Sequence, residues 1–99
     1  MHIHVITEAI LKPTRPLTPI EIYELTKHYA GLAADVEIDP SATVQELADA
    51  ADMVLNIDTT NTENELIYYN GILLDNTTTL ESNELMEGAT VQYKFVLTV

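Results

Sequence analysis

The chain has 99 residues, 46% of them hydrophobic and 20% charged, with 16 acids against 4 Lys and Arg for a formal net charge of −12. A chain of this size holds one core but not two independent lobes, so residues 1–99 are read as one domain. No run approaches the roughly 18 apolar residues of a membrane span, and Met1-His2-Ile3-His4 lacks the start of a signal peptide, so no membrane insertion and a cytoplasmic location are expected.

Cysteine is absent, which excludes disulfides, thiol catalysis and cysteine zinc sites. The charge is uneven. Residues 1–27 balance Glu8, Glu21 and Glu24 against Lys12, Arg15 and Lys27, whereas Lys94 is the one base from His28 onward. Such a surface repels phosphate polymers, so no nucleic acid is expected, and a protein partner with a basic surface is its complement.

Met1, Ile3 and Val5 alternate with His2, His4 and Ile6, which predicts a first strand reaching about Ile10. Pro13, Pro16 and Pro19 then exclude a regular ladder, so 11–18 is read as an extended loop. Thr18-Pro19-Ile20-Glu21 has capping-box spacing and Gly31 can end a helix, which predicts a helix over 19–30 with Ile20, Ile22, Leu25 and Tyr29 as a stripe that packs. The alternation Ile20 to Leu25 leaves a strand as the rival reading.

Val36 and Ile38 alternate with Asp35, Glu37 and Asp39 before Pro40, a second strand. A second capping box, Thr43-Val44-Gln45-Glu46, opens a helix over 43–55 in which Val44, Leu47, Ala51 and Val54 face the core and Asp49 and Asp52 turn outward. Residues 56–64 are polar and without period, hence a loop. Asn70-Gly71 joins two short strands in a tight hairpin, with Tyr68 outside and Tyr69 toward the core. Leu80 and Leu85 bracket a helical turn, and Val91, Tyr93, Phe95 and Leu97 alternate with Gln92, Lys94 and Val96 in a long last strand.

Several of these segments resemble ubiquitin: Met1-x-Ile3-x-Val5-x-Thr7, then Val36 to Val44 with its Pro40-Ser41-Ala42-Thr43, then Ile67 to Asp75, then Thr79-Leu80 through Leu85 and Gly88. The resemblance covers about three quarters of the chain and implies an α+β, ubiquitin-like β-grasp fold. That is a mixed sheet of four or five strands packed on one main helix, with residues 11–32 inserted between strands 1 and 2 as a loop and an extra helix. His28-Tyr29-Ala30-Gly31 before an acidic strand is similar to the YukD/EsaB group of bacterial type VII secretion. The helix start Leu17-Thr18-Pro19 resembles the ubiquitin-like proteins of PRTRC-type operons.

The chain departs from ubiquitin at three places. It closes on Val96-Leu97-Thr98-Val99 rather than on two glycines, so isopeptide conjugation is not expected. The isoleucine, histidine and valine of ubiquitin's partner-binding patch align with Tyr68, Gln92 and Lys94, so ubiquitin readers are not expected to bind. The insertion is the third departure.

No Gly-rich phosphate loop and no paired or triad catalytic set is present, so neither enzyme activity nor a cofactor is expected. His2 and His4 lie two apart on one strand face but lack a third ligand, so no metal is assigned to them. The expectation is a non-conjugated interaction module, an adaptor or accessory subunit offering either an acidic sheet face with Tyr68, Gln92 and Lys94 or the inserted helix with Tyr23 and His28. The alternatives are a conjugated modifier in a longer or processed form, and a structural subunit of a larger assembly.

Overall fold

The computed structural model describes residues 1–99. Its strands are β1 (His2–Lys12), β2 (Ala33–Glu37), β3 (Thr62–Tyr69), β4 (Ile72–Leu73) and β5 (Thr90–Thr98). They form one mixed sheet in the order β2-β1-β5-β3-β4, with β1 and β5 parallel and every other pair antiparallel. Two helices complete the α+β architecture, α1 (Pro19–Tyr29) and α2 (Val44–Leu55). No helix is long and apolar enough to cross a membrane.

Both capping boxes form. The Thr18 and Thr43 hydroxyls accept from the Glu21 and Glu46 amides, and each Glu side chain reaches back to the capping residue's own amide. That exchange satisfies donors a helix start otherwise leaves open. At the other end of α2, Asn56 takes the left-handed conformation and its amide donates to the Asp52 and Met53 carbonyls.

The core lies between α2 and the inner sheet face. Ile3, Val5, Ile67, Val91, Tyr93 and Phe95 meet Val44, Leu47, Ala48 and Ala51, closed by Leu74, Leu80 and Leu85. Inward residues alternate along β1 and β5 in step with the pleat, which fixes the register against slippage.

Six expectations need correction. β1 runs to Lys12, beyond Ile10, because Leu11 and Lys12 find partners in Leu97 and Thr98. The polar stretch 56–64 is not wholly loop: a 3-10 turn (Thr59–Asn61) leads into β3 at Thr62, which pairs with Leu97, and a register shift between Glu63 and Leu66 hides the strand period. β2 ends at Glu37, and Ile38 continues with one bond to the Met1 carbonyl.

The α1 stripe is not buried: no residue of the helix is, Ile20 and Ile22 are exposed, and Leu25 and Tyr29 are half-buried. On α2, Val54 is exposed and Asp52 is buried at 5% exposure. At about 100° per residue these two lie on opposite flanks of the apolar stripe, and the covered flank is the one that faces Tyr93 and Glu65.

Candidate functional site

The sheet face away from α2 carries no helix. Its side chains follow from register: Ile6 lies opposite Gln92, which lies opposite Tyr68; Glu8 lies opposite Lys94, which lies opposite Leu66; Ile10 lies opposite Val96. Directly paired residues project to one side of a pleated sheet, so the outward set is one surface. Ile10, Leu66, Tyr68 and Val96 line a shallow apolar groove there, with Asn64 and Lys94 at its edge.

Tyr68, Gln92 and Lys94 are thus neighbours on this face. The Lys94 ammonium stands 4.7 Å over the Tyr68 ring and 3.4 Å from the Glu8 carboxylate. Its charge is shared between the ring face and the carboxylate, and its stem covers apolar surface. Tyr69 faces the other way and packs against the core.

The face expected to be acidic is apolar at its centre. Beside the Lys94–Glu8 pair, its charges meet in Lys12 with Glu63, His2 with Glu37 and His4 with Asp35, at 3.5–3.9 Å. His2 also contacts Glu87 at 2.9 Å, which raises the imidazole above its ordinary pKa. The excess acids sit on α2 and in the connections, among them Glu46, Asp49, Asp58, Asp75 and Glu81. Sequence reasoning missed Ile10, Leu66 and Val96, because their common face emerges only from the β1–β5–β3 register.

Tyr23 and His28 do not join this face. They lie on α1, Tyr23 exposed with Lys27 6.0 Å over its ring, and His28 edge-on to Tyr29 with ring centroids 4.7 Å apart. His28 lies with Lys27 in the last turn of the helix, and the Ala30 amide donates to the Thr26 carbonyl there. Leu17, Leu25 and Tyr29 line a separate cleft with Arg15, Glu21 and His28. Within it the Arg15 guanidinium on Glu21 holds that carboxyl down at about 2.

A third group of side chains lies at the C-terminal half of α2. The buried Tyr93 hydroxyl donates to Asp52 Oδ1 at 2.8 Å, while Asp52 Oδ2 is buried without a partner. Asp49, Asp52 and Glu65 each place one carboxylate oxygen within 4.8 Å of the other two. Burial, helped by the Glu65 and Asp49 charges, pushes the Asp52 carboxyl up to about 6 against the pull of the Tyr93 hydroxyl. Burial likewise raises the Tyr93 phenol.

No protein-family model matches the sequence, and no curated protein is similar to it.

Proposed function

We infer that the protein is a non-catalytic interaction module that binds a protein partner through the outer sheet face, centred on Ile10, Leu66, Tyr68 and Val96. The observation that carries this reading is the uncovered apolar groove with a cation-held tyrosine at its side. Surface apolar residues are ordinarily scattered, and a contiguous set with a rigid aromatic anchor and charged rim has the anatomy of a binding site.

The net charge of −12 specifies the partner further. Association is steered toward a surface that offers apolar side chains ringed by Lys and Arg. The strand order and the crossing of α2 over the sheet are compatible with a ubiquitin-like β-grasp. On that reading the outer face corresponds to the one ubiquitin uses, with Tyr68, Gln92 and Lys94 replacing its patch. The working role is a cytoplasmic adaptor or accessory subunit of a bacterial secretion or modification system.

Affinity capture from the host lysate with three baits tests this: the natural chain, an Ile10→Asp/Tyr68→Ala double variant, and a Tyr23→Ala/His28→Ala variant of α1. Proteins held by the first and third baits but lost from the second are the expected result. If every captured protein is indifferent to the outer-face substitutions, the assignment of this face is wrong.

A further inference from the structure

Three carboxylates converge at the junction of α2 and β3, and no cation of the chain meets them. None of the ion pairs of the fold involves Asp49, Asp52 or Glu65. Each of the three is instead oriented by one neutral donor. Tyr93 holds Asp52 Oδ1 at 2.8 Å, Gln45 holds Asp49 Oδ1 at 3.0 Å, and Thr62 holds Glu65 Oε1 at 3.0 Å.

Each carboxylate therefore keeps a second oxygen that no hydrogen bond uses. For Asp52 that oxygen is Oδ2, on a residue with only 5% exposure. A buried carboxylate oxygen left bare, beside two more carboxylates, is costly unless something positive shares the site.

We propose that Asp49, Asp52 and Glu65 form a binding site for a single divalent cation of the calcium class, a hard ion taking oxygen ligands, bound at the junction of α2 and β3. The donor set is all oxygen, which selects calcium, magnesium or manganese over zinc or copper. Spacing narrows the choice. Two ligands of one ion lie at most twice the metal–oxygen distance apart, about 4.6–5.2 Å for calcium and about 4.0–4.2 Å for magnesium. One carboxylate oxygen from each residue lies within 4.8 Å of the others, inside the reach of calcium.

Tyr93, Gln45 and Thr62 are the outer partners that orient the ligands. Their neutrality leaves the carboxylate charge for the ion. Asp52 and Met53 also line the open cleft beside Asn56 and Ile57, which gives an approach from solvent. The site lies on the helix side of the sheet and is independent of the outer-face reading.

The test is a calcium titration of the full chain after treatment with chelator, followed by calorimetry and by thermal melts against magnesium and against potassium chloride of matched ionic strength. The expected dissociation constant is on the order of 10⁻⁴ M, that of a weak calcium site. At a hundred-fold excess over it the melting temperature should rise by on the order of 10 °C. Magnesium should do less, and calcium affinity should fall at least several-fold from pH 7 to pH 5, as protons compete for Asp52.

Asp52→Asn should abolish the calcium shift without lowering the melting temperature of the calcium-free chain, and Glu65→Gln should weaken calcium at least about tenfold. No heat and no shift beyond that of potassium would overturn the proposal. So would an undiminished shift in Glu65→Gln, the variant that decides the matter should Asp52→Asn fail to fold.

Discussion

The Tyr93 hydroxyl and Asp52 Oδ1, 41 residues apart in sequence, meet at 2.8 Å inside the protein and tie α2 to the central strand β5. The bond gives a buried charge its one partner. Tyr93→Phe should therefore cost about 1–3 kcal/mol, because it leaves the carboxylate without a donor. Asp52→Asn keeps an acceptor for Tyr93 and removes the charge repelled by Asp49 and Glu65, so it should be neutral or stabilising at pH 7. Urea denaturation of both variants checks the pair, and a more severe loss in Asp52→Asn than in Tyr93→Phe would contradict it.

The raised Asp52 carboxyl makes stability depend on pH in a definite direction. Folded Asp52 titrates at about 6 and the ordinary carboxyl at 3.8. Between those values the folded state holds the extra proton, so stability falls as pH rises from about 4 to 6, by on the order of 2 kcal/mol. The groups around it, Asp49 on α2, Glu65 on β3 and Tyr93 on β5, add no cation to reverse the sign. Asp39, Asp58, Asp75, Glu21 and Glu87 are held below their ordinary values by hydrogen bonds, so their contribution is lost as pH falls below about 4. Stability measured across pH should peak between about 4 and 5, and Asp52→Asn should flatten the fall on the alkaline side.

The two sheet faces should respond differently to truncation. Leu47→Ala and Phe95→Ala remove fully buried side chains and should each cost about 2–5 kcal/mol. Tyr68→Ala and Ile10→Ala remove side chains with one open side and should cost about 1 kcal/mol or less. Denaturation of the four single variants separates a core face from an open one.

The two capping boxes have the same chemistry and unequal consequences. Thr43→Ala should lower global stability by about 1 kcal/mol, since α2 forms one wall of the core. Thr18→Ala should be felt mainly inside α1, which buries no residue. Amide hydrogen exchange should quicken over residues 19–29 with little change in global unfolding. Equal loss of global stability in both variants would mean that α1 is more deeply coupled to the fold than its exposure indicates.

Much of the frame was legible because local chemistry agreed with it. Thr18 and Thr43 mark their helix starts, Asn70-Gly71 makes the hairpin turn with both residues at positive φ, and alternation along β1 and β5 separates the two faces. What remained hidden depends on contacts between distant residues. Nothing near Asp52 announces that Tyr93 will reach it, so a charged residue on a helix flank reads as exposed. Thr62 to Glu65 look like loop because their strand character comes from pairing with β5 across an irregular register. Ile10, Leu66 and Val96 become one surface only when three strands are aligned, and of the α1 stripe Tyr29 packs against the core while Ile20 and Ile22 stay exposed.

The central claim is that the outer sheet face is the binding surface, and it is tested most directly by amide chemical-shift mapping of the isotope-labelled chain titrated with its captured partner. The expected shifts cluster at Ile10, Leu66, Tyr68, Lys94 and Val96 and vanish in the Ile10→Asp/Tyr68→Ala variant. Shifts confined to α1 or to the exposed side of α2, with the outer face silent, would contradict the account.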